Sequence, residues 1–157
     1  MSYIFYKSAS NPTTTGEVVG GDITTVELSG YLGELFPRVD APPEDTNLST
    51  VQYRKIFVKN EYTFSSANTR LWLDAEQHRG QIAIAVQTGL SDTIANGLAA
   101  PSGISDWANP TNFSNGLEIG TLGVNSYTGV WLRQTLTDIH EADPYASLRL
   151  YVGGIIE

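Results

Sequence analysis

A chain of 157 residues is long enough for one domain with one core, its folded form burying about two-thirds of the surface that the unfolded chain exposes. Nine Lys and Arg against seventeen Asp and Glu give a formal charge of -8, which repels nucleic-acid phosphates and anionic bilayers, so neither nucleic acid nor membrane is expected as a partner. The absence of cysteine excludes disulfides, thiolate metal sites and cysteine nucleophiles together.

The first segment, MSYIFYKSASNP, has no basic lead and only a short apolar run, so it reads as neither a secretory signal nor an anchor, and synthesis in a cytoplasm is expected. YIFY (3–6) is the first candidate strand. GEVVGGD (16–22) has neither the lysine of a P-loop nor dinucleotide-binding spacing; its glycines read as a turn before a second strand, ITTVEL (23–28). Residues 29–50, SGYLGELFPRVDAPPEDTNLST, mix apolar anchors with prolines and acids, and are expected to form an extended arm crossing the surface of the domain or of a neighbour.

VQYRKIFVKN (51–60) is the most strand-like run and also the most basic, with Arg54, Lys55 and Lys59. Apolar side chains occupy both of its faces. One face is expected on the core and the other in water, where the long cationic stems cover aromatic surface or meet carboxylates such as Glu44 and Asp45, or those of an adjacent subunit. TRLWLD (69–74) follows, then DAEQHRG, where His78 reads as a solvated turn residue.

QIAIAVQT (81–88) points Ile82, Ile84 and Val86 toward a core and leaves a small-residue face opposite. Residues 89–116 are a long, turn-rich connection that nevertheless carries Trp107 and Phe113; aromatics in such a loop are pinned to their own domain, or to another subunit or a ligand. LEIGTL (117–122), YTGVWLRQTL (127–136) and SLRLYVGG (147–154) complete the strands. Val130 and Leu132 oppose Trp131 and Arg133, while Leu148, Leu150 and Val152 oppose Arg149 and Tyr151. Paired in one sheet, these last two strands would exchange cation–π contacts of about 1 kcal/mol each.

The period-two pattern predicts an all-β fold, an antiparallel β-sandwich of immunoglobulin-like shape with an extended N-terminal arm; a jelly roll is the alternative, since eight strands can be counted. Residues 1–50 would supply the N-terminal strands and the arm, and residues 51–157 the sandwich.

Chemistry is harder to find. DIHEAD places Asp138, His140, Glu141 and Asp143 within six residues, yet without the glycine-turned geometry of a calcium loop it reads as an acidic connection between strands, a metal site being the alternative. No GxSxG elbow occurs, and the carboxylates of Asp74 and Glu76 are accounted for as a solvated strand rim. The triplets at Asn47 and Asn112 match the glycosylation pattern but carry no weight where no secretory signal is read. No enzyme, cofactor or metal is therefore expected, and binding remains.

The ordered run GGDITTVEL, LFPRVD, NLSTVQYRKIFVKNEY, RLWLD, IAIAVQTGL and NGLEIGTLGVNSYTGVWLRQTL resembles small virion structural proteins of tailed bacteriophages over about residues 20–136. Its most specific parts are residues 53–60 and 129–133; Gln134 stands where such proteins often carry a second arginine. The resemblance implies a β-sandwich of the virion: a head decoration (cement) protein that binds the major capsid protein on the capsid exterior, forms a homotrimer and stabilises the shell. Capsid or subunit contacts are then expected from the arm, through Tyr31, Leu35, Phe36 and Arg38, and from the long loop, through Trp107 and Phe113. A neck, tail or baseplate component is the alternative within virions. Outside them stands a carbohydrate-binding β-sandwich module with Trp107, Trp131 or Tyr127 stacked on sugar rings, and after it an enzyme built on His140.

Overall fold

Side chains that alternate between two environments favour extended backbone, and here the alternating runs become strands. A computed structural model describes residues 2–12, 16–29, 35–36, 50–73, 80–136 and 149–156. They form β1 (Tyr3–Ser10), β2 (Val19–Glu27), β3 (Thr50–Asn60), β4 (Ser66–Leu73), β5 (Gly80–Val86), β6 (Thr93–Ile94), β7 (Leu117–Leu122), β8 (Tyr127–Leu136) and β9 (Leu150–Ile156). The larger sheet runs β5-β8-β3-β1-β2-β6 and the smaller β7-β4-β9. Every pairing is antiparallel, so the chain is an all-β sandwich as the alternation predicts. β1 pairs with β3, so the N-terminal strands and the later ones share one sheet. No helix among the described residues is long and apolar enough to cross a membrane.

The backbone of the larger sheet is the β3–β8 ladder, unbroken from Thr50↔Leu136 to Lys59↔Tyr127. Between the sheets, Ile56 and Val58 of β3, Ile82 and Ile84 of β5, and Val130 and Leu132 of β8 meet Leu71 and Leu73 of β4 and Leu122 of β7. Each such side chain contributes about 2 kcal/mol by leaving water. Leu35 and Phe36 join this core, 6% and 4% exposed.

The outer face of the larger sheet is not left in water. Val19, Tyr53, Ile94 and Trp131 form a second buried cluster, with Val51, Ala99, Ile104 and Trp107 packed on it. Residues 89–116 supply much of this cover, and backbone hydrogen bonds stitch them to the strands: Tyr53 N to Gly97 O at 2.8 Å, Ile84 and Ala108 reciprocally at 2.8 and 2.9 Å, and Leu73 N to Pro110 O at 2.8 Å. The long connection is thus folded on its own domain. Because it lies over the larger sheet, both faces of β3 are buried, where one had been expected in water.

Two further expectations change. Gly20 and Gly21, read as a turn, lie within β2 at φ 110° and 86°, where the β1–β2 register shifts. A Cβ on Gly20 would stand 2.5 Å from Asp92 O, so the strand approaches the next segment closer than any side chain permits. β6, only two residues long, gave no periodic signal. Residues 30–34 and 37–49 of the expected arm, His78, and the Asp138–Asp143 cluster lie outside the described residues.

Candidate functional site

On the smaller sheet, β4 alternates from Thr69 to Leu73. Leu71 and Leu73 turn inward and are 0% exposed, which sends Arg70 and Trp72 to the outer face. β9 does the same in antiparallel register, with Leu150 and Val152 packed on the core and Tyr151 outward, opposite Trp72. The Trp72 and Tyr151 rings lie 5.7 Å apart and nearly parallel, at 13°. Gly153 leaves room beside them, since a Cβ there would be 3.2 Å from Trp72 Cη2.

Phe113 completes the group, edge-on to Trp72 at 5.7 Å and 84°. The turn that presents it is held by Asn112, whose Oδ1 accepts from Ser114 Oγ at 2.7 Å and Asn115 N at 3.0 Å. The Arg70 guanidinium lies 5.6 Å from the Phe113 ring centroid and donates to Ser114 O at 2.9 Å, tying the turn to β4. Each ring pair adds about 1 kcal/mol beyond burial. Tyr151 is 39% and Phe113 42% exposed, and Ile155, further along β9, is 55% exposed. The result is a rigid apolar and aromatic face, with Arg70 on it and the exposed Arg149 two residues before Tyr151.

The basic strand does something else. Arg54 and Lys55 are both 0% exposed. Arg54 donates to Tyr53 O at 2.7 Å and its guanidinium lies 5.8 Å from the Phe36 ring centroid. Lys55 Nζ contacts Asp92 Oδ1 and donates to Leu90 O at 2.9 Å and Gly89 O at 3.2 Å. Asp92 Oδ2 accepts from Trp131 Nε1 at 3.0 Å. Burial holds the Lys55 ammonium below its ordinary range against the pull of Asp92 and Asp22. Burial pushes the Asp92 carboxyl up, but hydrogen bonds from Lys55 and Trp131 leave it below its usual value. The cations of β3 therefore anchor neighbouring segments inside the molecule, while Lys59 pairs with Glu61 at 2.9 Å. Glu44 and Asp45, the carboxylates expected to meet them, lie outside the described residues.

Of the residues expected to make capsid or subunit contacts, Phe113 is on the aromatic face. Leu35 and Phe36 are in the main core, so their apolar surface is covered by this chain itself. Trp107 is half-buried, 5.6 Å from the Tyr53 ring and 5.0 Å from the Arg133 guanidinium. Tyr31 and Arg38 lie outside the described residues. Trp131, offered as a sugar-stacking residue, is 0% exposed, and Tyr127, 38% exposed, packs edge-on against Phe57. The expected cation–π contacts between the eighth and ninth strands do not form, because β8 and β9 belong to different sheets. Arg133 instead covers Trp107, and Tyr151 stacks on Trp72.

Trp72, Tyr151 and Arg70 were missed as site residues, although a signal existed: RLWL (70–73) and RLYV (149–152) repeat one pattern, arginine and aromatic outward, aliphatics inward. Among the described residues, no group of three or more His, Cys, Asp or Glu is placed to hold a metal ion. Comparison with protein-family models, curated proteins and solved structures gave no match to this chain.

Proposed function

We propose that this chain is a structural protein of a bacteriophage virion, a head decoration protein that docks on the outer capsid surface and stabilises the shell. One observation carries the reading on the structural side: the exposed face of Arg70, Trp72, Phe113 and Tyr151, pre-organised on two strands and a pinned turn. Aromatics and arginine are the residues that dominate protein–protein interfaces, and rings already stacked lose little entropy on docking. The sequence resemblance to small virion proteins supplies the partner, the major capsid protein. Binding to the assembled lattice alone stabilises the shell by mass action, and a homotrimer over local threefold positions would multiply that effect. A neck, tail or baseplate position would use the same face.

The test is co-sedimentation of the purified chain with undecorated heads. The wild type should pellet in many copies per head, while Trp72→Ala and Tyr151→Ala, which alter only the outer face, should stay in the supernatant with their fold intact. Pelleting of both variants like the wild type would rule out this face as the docking surface.

A second reading has its own support, since the nearly parallel Trp72 and Tyr151 rings also suit stacking against sugar rings. Retention on glycan resin that Trp72→Ala abolishes, with no binding to heads, would establish the carbohydrate module instead.

A further inference from the structure

We propose that Lys55 and Asp92 become joined by a side-chain amide bond, an intramolecular cross-link between β3 and the turn before β6. The amine and the carboxyl group it would condense with are already paired: Lys55 Nζ contacts Asp92 Oδ1 within a site where the lysine side chain is 0% exposed and that of Asp92 21%. Its walls are aromatic, with Nζ 4.8 Å from the Phe57 ring centroid and 5.8 Å from that of Trp131. Gly129 lets the lysine stem lie flat, because a Cβ there would stand 2.6 Å from Lys55 Cε.

The polar groups are arranged for condensation. Gly89 O and Leu90 O accept from Nζ at 3.2 and 2.9 Å, fixing the nitrogen against Asp92. On the far carboxylate oxygen, Oδ2, converge Trp131 Nε1 at 3.0 Å, Thr88 Oγ1 at 3.2 Å and Thr88 N at 3.3 Å. Donors fixed on that oxygen stabilise the negative charge it gathers when the carbon becomes tetrahedral. Transfer of one proton from the ammonium to Oδ1 within the pair gives a neutral amine beside a carboxylic acid; burial of the lysine favours this change, and the hydrogen bonds that keep the Asp92 carboxyl below its usual value oppose it, so the neutral pair is a minor species on the path. The Nζ lone pair then forms a bond to Cγ, a second proton passes from nitrogen to Oδ1, and the Cγ–Oδ1 bond breaks to release water. Two protons and one oxygen leave together, nothing is oxidised or reduced, and no co-reactant is needed. The product is a neutral amide in place of two charges, which removes the desolvation cost of the buried pair. Its oxygen keeps the donors from Trp131 and Thr88. The bond would close a loop across a sequence separation of 37 in a chain without disulfides, and so restrict the unfolded state.

Intact-mass measurement of the purified full chain under denaturing conditions tests this directly. The wild type should be lighter than its sequence by one water, and tryptic digestion should give a branched peptide joining the segments of Lys55 and Asp92, with no cleavage after Lys55. Lys55→Arg and Asp92→Ala should show full sequence mass. A wild type at full mass, cleaved after Lys55 once unfolded, overturns the proposal, as does a water loss that maps to one unbranched peptide. The decisive reading is on the wild type, so it stands whether or not the variants fold, and it is independent of any capsid binding.

Discussion

Tyr6, on β1, donates its hydroxyl to Glu61 Oε1 at 2.8 Å, and Lys59 Nζ donates to the same oxygen at 2.9 Å. The hydrogen bond to Glu61, with burial and the nearby acidic charges, pushes the Tyr6 phenol from 10.0 up to about 12. Glu61 moves the other way, its carboxyl lowered by hydrogen bonds from Lys59 and Tyr6. The signs follow. The folded chain holds the Tyr6 proton more tightly than the unfolded one, so this contribution is complete below pH 10 and is lost as pH rises toward about 12. Glu61 contributes above its ordinary value of 4.5 and loses that contribution as pH falls through its lowered one. The urea midpoint should therefore drop across the alkaline window, and Tyr6→Phe should flatten that drop while lowering the midpoint near neutrality. An equal alkaline slope in both proteins would refute the assignment. Gly20 gives a second prediction of this size. At φ 110° with Asp92 O 2.5 Å from a built Cβ, Gly20→Ala should cost about 1–3 kcal/mol in urea unfolding, whereas Gly16→Ala, with nothing within 4 Å, should be near neutral.

Among the elements, the connection between β5 and β7 behaves as part of the sandwich. Trp107 fills the space between Tyr53 and Arg133, so Trp107→Ala should destabilise the fold by about 2–3 kcal/mol. Phe113, at the outer end of the same connection, is half in water; Phe113→Ala should cost about 1 kcal/mol or less while weakening whatever the aromatic face binds. Chemical denaturation of the two variants separates the roles, and equal costs would contradict them. Eight of the nine strands were legible from alternation, as in QIAIAVQT, because a half-buried strand writes its environment at every second residue. β3 shows where that stops. Its alternation located the strand but could not tell that Lys55 is buried, since the group that receives it, Asp92, lies at a sequence separation of 37 and is brought there by a loop. β2 began earlier than expected because paired glycines at positive φ look like a turn until a neighbouring backbone is seen to require them. The aromatic face was half legible. RLWL and RLYV each showed an outward aromatic, but only the Trp72↔Tyr151 register makes them one site.

At the scale of the whole molecule, the proposed docking would separate how a partner arrives, through charge, from how long it stays, through ring contact. The chain carries -8 overall, yet Arg54 and Lys55 are sealed inside, Lys59 is paired with Glu61, and Arg133 lies over Trp107. Among the described residues, Arg70 and Arg149 lie beside the aromatic face of the smaller sheet, with the exposed Glu118 of β7 opposite Arg70, whereas Glu17, Asp22 and Glu27 are exposed on or beside β2. Under the proposed docking, arginines beside the apolar face would help steer it toward a partner that offers carboxylates there, and the steering would weaken as salt screens it. Arg149→Gln, which leaves the turn that Arg70 ties to β4 untouched, should thus slow association with heads about twofold at low salt and reduce its salt dependence, with a smaller effect on dissociation. Trp72→Ala should do the reverse, leaving association nearly unchanged and speeding dissociation at least tenfold, because it removes contact area that forms only after docking. Surface-plasmon measurements on immobilised heads over a salt series distinguish the two. Equal loss of association rate in both variants would show that charge and ring act as one contact, and would remove the separation of arrival from residence argued from this charge pattern.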